Sequence, residues 1–221
     1  MRPVSVSGVR KTYEGGVQAL DDVSFEVSAG ELVALLGPSG CGKSTLLNLV
    51  GCIDLPDEGE VRIAGALTSA LSDDELTRLR RDRIGTVFQF FNLLPTLTLA
   101  ENVALPLRLQ GRPNAEIPAR VHAALLAVGI AEKAGALPHH VSGGQVQRAA
   151  IARAIVHEPS IVLADEPTGN LDSRNGENVL AILRDLAERG QSILMATHSP
   201  DAAARANRRI LMRDGRIEAI V

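Results

Sequence analysis

The sequence predicts an α/β fold with a mostly parallel sheet, because short apolar runs of strand type alternate with amphipathic segments of helix type. Glu31–Leu36 is a continuous apolar run, as expected of a strand buried on both faces, and Ser160–Asp165 and Ser192–Thr197 repeat that texture. Between the last two lies an amphipathic segment, Glu177–Arg189, which Gly190 would end. Ligands of such sheets bind at the carboxyl ends of the strands, so these ends are the first place to look for a site.

The remaining elements follow in chain order. Strands are predicted at Val4–Thr12, Val17–Val27, Glu60–Ile63 and Ile84–Phe91, with a final hairpin turning at Asp214–Gly215. Helices are predicted at Ser44–Val50, Asp73–Arg83, Glu116–Val128 and Gln145–His157, the second with Ser72 as N-cap and Glu75 completing a capping box. We expect one domain in which residues 1–91 and 158–221 form the core with an antiparallel β subdomain, and residues 92–157 form an inserted helical subdomain.

Composition excludes several classes of protein. The 221 residues are 45% apolar and 22% charged, which is ordinary for a chain that buries a core. A net charge of -3 and 2% aromatic residues argue against a broad nucleic-acid-binding face. The two cysteines, Cys41 and Cys52, are expected to be reduced thiols. No apolar run is long enough for a spanning helix and the first residues do not resemble a signal peptide, so we expect a cytoplasmic chain that reaches a membrane only through a partner.

A glycine-rich phosphate-binding loop follows the predicted strand Glu31–Leu36 and matches the pattern GxxxxGK[ST]. Its residues are Gly37, Pro38, Ser39, Gly40, Cys41, Gly42, Lys43, Ser44 and Thr45. Glycines let several backbone N–H groups point into one concavity, and the helix that follows adds its positive end. Lys43 suits the β- and γ-phosphates of ATP and the Ser44 hydroxyl suits Mg²⁺. For Cys41 we expect the backbone rather than the thiol to matter.

Two carboxylates end the apolar strand at Asp165 and Glu166. Many strands end in acidic residues, so this signal is weak alone. Beside a phosphate-binding loop it predicts that Asp165 holds Mg²⁺ and that Glu166 polarises the attacking water.

The segment from Val141 to Arg148, with Ser142, Gly143, Gly144 and Gln145 at its centre, resembles the signature of ABC-type ATPases. Other motifs of that family have counterparts along the whole chain: Tyr13 as the aromatic residue that stacks on adenine, Gln89 in the Q-loop, Asp172 in the D-loop and His198 as the switch histidine. Val141 stands where the family usually has leucine, and Val146 where a polar residue is common.

The resemblance implies a head-to-tail homodimer that sandwiches two ATP molecules. Each ATP would lie between the phosphate-binding loop of one subunit and Ser142-Gly143-Gly144-Gln145 of the other. Glu166 would be the general base, His198 would hold the γ-phosphate, and Gln89 would ligate Mg²⁺ and sense the partner. The implied partner is an integral-membrane permease on the inner face of the cell membrane, with no nucleic acid and no small-molecule substrate other than ATP.

The segments Phe90–Leu107, Asp165–Asp172 and Met212–Arg216 are most similar to the subgroup of lipoprotein-releasing, macrolide- or peptide-exporting and cell-division ATPases. In that subgroup the permease would dock after Gln89, for which Phe90, Phe91, Leu93 and Leu94 are candidates. An ATPase of an importer and a soluble ABC ATPase without a transport role remain alternatives. A small-molecule kinase is disfavoured, because it needs no element acting in trans.

Overall fold

The computed structural model describes residues 2–221, which form ten β-strands and seven α-helices. The strands are β1 (Val4–Tyr13), β2 (Val17–Val27), β3 (Leu32–Leu36), β4 (Glu58–Ile63), β5 (Ala66–Leu67), β6 (Ile84–Val87), β7 (Ile161–Asp165), β8 (Ile193–Thr197), β9 (Arg208–Arg213) and β10 (Arg216–Ile220). The helices are α1 (Lys43–Val50), α2 (Asp73–Arg83), α3 (Leu99–Leu109), α4 (Ile117–Ala127), α5 (Gly143–Ile155), α6 (Ser173–Glu188) and α7 (Pro200–Ala203). Within these residues no helix combines the length and apolar character needed to cross a bilayer.

Two sheets organise the molecule. Strands β10-β9-β3-β8-β7-β6 form a six-stranded sheet in which only the β9–β10 pair is antiparallel. Strands β2-β1-β4-β5 form a smaller, wholly antiparallel sheet. The predicted α/β class with a mostly parallel sheet, an antiparallel β part and a helical part is therefore confirmed.

The central strand β3 divides the hydrophobic core in two, because its side chains alternate between the faces of the sheet. Leu32 and Ala34 pack with helices α3 to α6 on one face, whereas Val33 and Leu35 pack with α1 and the antiparallel sheet on the other. All four side chains are at most 1% exposed, which explains why the sequence of this strand is an unbroken apolar run.

Most predicted elements lie within a few residues of their observed bounds, and the capping box of Ser72 and Glu75 is present at the start of α2. The strand predicted at Ile84–Phe91 is wrong at its end, since β6 stops at Val87. Phe91 and Asn92 have φ angles of 62° and 50°, which an extended strand does not allow.

Asn102 on α3 fixes the loop that precedes its own helix. Its side chain is fully buried, and its Nδ2 donates to the carbonyl oxygens of Leu94, Leu97 and Thr98, each at 3.0 Å. Its Oδ1 accepts the Leu94 N–H at 2.7 Å. A single buried amide thus bonds four backbone groups of this loop, in residues 94, 97 and 98.

Replacing Asn102 with Ala should lower the free energy of unfolding by about 2–4 kcal/mol, because several buried backbone groups lose their partner at once. Urea denaturation measures this, with exposed Asn114→Ala as the matched control. A loss below about 1 kcal/mol would mean that water or a rearranged loop replaces the amide.

Candidate nucleotide site

The phosphate-binding loop lies between β3 and α1, and its tight course requires glycine at two close approaches. A Cβ atom on Gly37 would lie 2.3 Å from the carbonyl oxygen of Met212, and one on Gly42 would lie 2.5 Å from that of Ala19. Gly42 also has a φ of 101° and is the N-cap of α1. No acidic residue occupies the first turn of α1 and no side chain caps it, so the positive end of the helix is free to meet an anion.

Lys43 holds its ammonium group across this loop. Its Nζ donates to the carbonyl oxygens of Gly37 at 2.7 Å and Pro38 at 2.9 Å, and the side chain is largely buried. Within residues 2–221 no carboxylate lies within ion-pair distance of this Nζ. The Cys41 Sγ lies 3.8 Å away, so the partners of this buried cation are two carbonyl oxygens and a thiol, and the charge is well suited to attract phosphate.

The carboxyl ends of β7 and β8 bring an acid pair and a histidine together. Glu166 is held in the left-handed region, with φ 43°, by its N–H bond to the carbonyl oxygen of Ala196 at 2.9 Å. Its Oε1 lies 2.8 Å from His198 Nδ1, and its Oε2 accepts a hydrogen bond from the Thr197 hydroxyl at 3.2 Å. Because an ionised carboxylate can only accept, Nδ1 is the donor of the His198 contact when Glu166 is charged.

Asp165 is in an unfavourable electrostatic position. Burial raises the pKa of its carboxyl group, the neighbouring charge of Glu166 raises it further, and Lys43 opposes both. A bound cation would remove this penalty, since it would neutralise the two acids.

These groups enclose a cavity of about 330 Å³, within the range of small-molecule sites, roughly 300–1,000 Å³. Its lining residues are Val17, Gln18, Ala19, Ser39, Gly40, Gly42, Lys43, Ser44, Thr45, Gln89, Asp165 and Glu166. The structure therefore brings together most of the loop with Gln89 and the acid pair. Gly37, Pro38 and Cys41 belong to the same loop without lining the cavity.

The donors around this cavity fit Mg²⁺ and phosphate. Ser44, Gln89 and Asp165 offer oxygen atoms of the kind that a hard cation prefers. In the described part of the chain there is no group of three or more His, Cys, Asp or Glu side chains placed to hold a metal. Magnesium at phosphate sites uses one or two carboxylates and completes its shell with phosphate and water, so the single Asp165 beside a phosphate cradle suffices.

Tyr13 lies at the rim of the site, at the end of β1. It pairs across the β1–β2 ladder with Val17, which lines the cavity, and its side chain is half exposed.

The cavity does not include the predicted signature and D-loop residues, which are Ser142, Gly143, Gly144, Gln145 and Asp172. Ser142 is the N-cap of α5, and its hydroxyl accepts the Gln145 N–H while its own N–H donates to the Gln145 side chain at 2.9 Å. Asp172 caps α6 by accepting the Asn175 N–H at 2.9 Å. A Cβ on Gly144 would lie 2.4 Å from Asn175 Oδ1, so the two helix starts are in close contact.

Sequence reasoning missed Val17, Gln18, Ala19 and Thr197. The first three carry no chemical signal: they lie at the start of β2 and approach the loop through the backbone, where the Ala19 carbonyl oxygen comes close to Gly42. Thr197 did carry one, since it is a hydroxyl residue at the carboxyl end of a buried strand, directly before His198.

A second, more apolar groove of about 360 Å³ lies between β6 and α3. Phe88, Asn92, Leu105, Pro106 and Leu109 are among its lining residues, with Arg153 at its base. Phe90, Phe91, Leu93 and Leu94, the candidates from the sequence, do not line it.

Comparison with known proteins agrees with this geometry. The family model described as ABC transporter matches residues 20–169. The pyoverdine export ATP-binding/permease protein PvdT of Pseudomonas fluorescens is 45% identical over 218 residues, which are 97% of this chain and 33% of that protein. The macrolide export ATP-binding/permease protein MacB of Neisseria meningitidis serogroup B is 48% identical over 204 residues, 92% of this chain and 32% of that protein. The chain thus spans about one third of the length of the curated relatives it matches.

Solved structures of similar chains have the same fold. The ATP-binding cassette MJ0796, in a dimeric post-hydrolysis state bound to ADP and Pi, has a TM-score of 0.88 and 44% identity, covering 99% of this chain and 97% of that one. The cbiO1 protein of Clostridium perfringens, part of the cbiONQ complex, has a TM-score of 0.91 and 29% identity, covering 99% and 88%.

Replacing Asp165 with Asn should stabilise the nucleotide-free protein, because it removes one of two adjacent, partly buried negative charges. We expect a gain of about 1 kcal/mol, which raises the melting temperature by about 2–4 °C in a chain of this size. Thermal unfolding at neutral pH without nucleotide or Mg²⁺ measures this, with exposed Asp22→Asn as the control. A lower melting temperature than that of the native protein would show that Asp165 stabilises the empty site.

Proposed function

We propose a function from one premise: this chain belongs to the ABC transporter family of ATP-binding proteins. The sequence motifs predict an ATPase of this family. The family match and the similarity to a cassette solved with ADP and Pi confirm that prediction. We infer further that the chain hydrolyses MgATP in a head-to-tail homodimer and that this cycle drives a membrane permease of the export type.

In this proposal the phosphate cradle consists of the loop, the free start of α1 and Lys43. Asp165, Ser44 and Gln89 would hold Mg²⁺, which supplies neutralisation of the phosphate oxygens. The ammonium group of Lys43 is already held over the loop by the carbonyl oxygens of Gly37 and Pro38, so little ordering is left for the moment of binding.

Glu166 is the proposed general base. Both of its carboxylate oxygens are occupied, one by Thr197 and one by His198. His198 is the exposed member of this set, since 64% of its side chain is accessible whereas Thr197 is fully buried. We propose that His198 turns from Glu166 to the γ-phosphate, which frees Oε1 to accept a proton from water.

The observation that carries the dimer is the separation between the signature residues and the cavity. Ser142 and Gly144 begin a helix and are fixed there by Gln145 and Asn175, away from the phosphate-binding loop of their own chain. A second copy placed head to tail would bring this helix start to the exposed side of the phosphates, where its positive end stabilises charge. The related cassette MJ0796 was solved as a dimer.

We propose that residues 92–157 form a helical subdomain and that the groove beside it receives a cytoplasmic segment of the permease. Phe88 and Leu109 line this groove and are 37% and 70% exposed, so apolar side chains are accessible along it. The groove begins one residue before Gln89, so a docked segment could sense the nucleotide site. The relatives named above combine ATP-binding and permease parts, which supports an export-type partner, either as a separate chain or within a longer polypeptide.

Replacing Glu166 with Gln should yield a stable dimer in the presence of MgATP, because ATP remains as the link between subunits when cleavage stops. Light scattering coupled to gel filtration measures the mass, with exposed Glu188→Gln as the matched control that stays catalytically active. A monomeric Glu166→Gln protein with bound ATP would contradict the sandwich.

The permease is tested by co-purification from the protein's own cells, after gentle solubilisation and trapping with ATP and vanadate. We expect a permease with a large extracytoplasmic domain, retained by native protein and by Leu126→Glu but lost in Leu109→Glu. Both leucines are exposed helix residues, and only Leu109 lines the groove.

A permease accompanied by a solute-binding protein would indicate an importer and overturn the export assignment. Ribosomal partners without any permease would overturn the transport role altogether. Equal retention by both leucine variants would remove the groove from the interface.

A further inference from the structure

The aromatic ring of Tyr13 is held by a carboxylate that belongs to a distant part of the chain. The Tyr13 hydroxyl donates to Asp54 Oδ2 at 3.2 Å. Lys11 Nζ donates to the other oxygen of the same carboxylate at 2.9 Å and to the Leu55 carbonyl oxygen at 2.8 Å. Asp54 therefore joins the end of β1 to the loop that follows α1.

Lys11 also covers one side of the ring. Its Nζ lies over Tyr13, 5.5 Å from the ring centroid, in a cation–π arrangement. The Lys11 side chain is only 11% exposed, whereas Tyr13 remains 40% exposed. The ring is thus backed by a cation on the protein side and open to a ligand elsewhere.

The backbone beyond Tyr13 does not impose this orientation. The turn that follows contains Gly15 and Gly16, with φ angles of 86° and 76° and no other atoms close to where their Cβ atoms would lie. The turn is closed by a hydrogen bond from the Gly16 N–H to the Tyr13 carbonyl oxygen at 3.1 Å, which fixes backbone but not ring. The contacts of the Tyr13 side chain therefore orient the ring itself.

Asp54 is itself well anchored to the helix that begins the phosphate cradle. Its N–H donates to the carbonyl oxygen of Asn48 in α1, and its Oδ1 accepts the Leu55 N–H at 2.7 Å. Burial alone would raise the pKa of Asp54, but the hydrogen bonds from Lys11, Leu55 and Tyr13 outweigh it and the pKa lies below its ordinary value. The group is accordingly a carboxylate at neutral pH.

We propose that Asp54 is a positioning residue for the nucleotide base: through Tyr13 it sets the stacking ring at a fixed distance from the phosphate-binding loop. Helix α1 connects the two parts of this arrangement. The phosphate-binding loop leads into its first residue, Lys43, and Asp54 lies in the loop that follows its last residue, Val50. The inference rests on the proposed role of Tyr13 as the residue that stacks on adenine. Asp54 contacts no phosphate group in this scheme, so its effect is confined to ligands that carry a base.

The test compares equilibrium binding of ADP with that of pyrophosphate, which lacks the base, using calorimetry on the full chain. Tyr13→Phe keeps the ring and removes only its hydroxyl, and Asp54→Asn keeps the shape and removes the charge. Each should weaken ADP binding about three- to tenfold, the range of one ordinary hydrogen bond. Pyrophosphate binding should stay unchanged, and the loss in steady-state hydrolysis should fall on KM for ATP rather than on kcat.

Two comparisons separate the effect of the hydrogen bond between Asp54 and Tyr13 from simpler effects. The double variant should bind ADP no more weakly than Tyr13→Phe, because without the hydroxyl Asp54 has no hydrogen bond to the ring. Asp57→Asn is the matched control: Asp57 accepts the Thr12 N–H at 2.7 Å and lies 3.4 Å from Lys11 without touching Tyr13, so the ratio of ADP to pyrophosphate affinity should not change.

The outcomes distinguish this inference from the proposed base site. If Tyr13→Ala lowers the ratio of ADP to pyrophosphate affinity whereas Tyr13→Phe and Asp54→Asn do not, the ring binds the base and the proposed positioning role of Asp54 is wrong. If Tyr13→Ala leaves this ratio unchanged, Tyr13 does not bind the base, and the positioning role of Asp54 is then wrong as well. An Asp57→Asn effect as large as that of Asp54→Asn would also overturn the inference, since it would indicate general loosening of the strand end.

Discussion

The site depends on one constraint, which is the register of the three neighbouring parallel strands β3, β8 and β7. Leu36 pairs with Thr197, and Ala196 pairs with Asp165, so the three strands end at the same edge of the sheet. The phosphate-binding loop, His198 and Glu166 follow these ends directly. A slip of one residue in any strand would exchange its side chains between the two faces of the sheet, and each side chain would then meet a core packed for a neighbour of different size.

The same edge concentrates charge that the empty protein tolerates poorly. Asp165 and Glu166 are adjacent acids, and Lys43 is a buried ammonium group whose partners are two carbonyl oxygens and the Cys41 sulfur. Nucleotide phosphates and a divalent cation would offset all three charges together. The start of α5, in contrast, is capped by Ser142 and Gln145 and does not line this cavity, and in the proposed dimer it would complete the site of the other subunit.

Much of the fold was predictable because the central strands are buried on both faces and are therefore marked by unbroken apolar runs. The errors in the predicted elements lie at their ends. The strand expected to reach Phe91 ends at Val87 because two residues in the left-handed region turn the chain. Helix α6 begins at Ser173 rather than at Glu177, since the side chain of Asp172 caps it.

The site motifs were readable from the sequence, whereas the contact of Asp54 with Tyr13 was not. A carboxylate in a loop has no local pattern that reveals a partner 41 residues away.

The central claim is that the phosphate-binding loop and the start of α5 meet only between subunits, and complementation tests it most directly. Lys43→Ala and Ser142→Arg proteins are purified separately and then mixed in MgATP, and phosphate release is measured. A head-to-tail dimer of the two variants contains one site with an intact Lys43 from one chain and an intact Ser142 from the other. The account predicts two inactive proteins whose mixture regains ATPase activity in proportion to the mixed dimer formed. A mixture that stays inactive although mixed dimers are present, or a fully active Ser142→Arg protein, would contradict it.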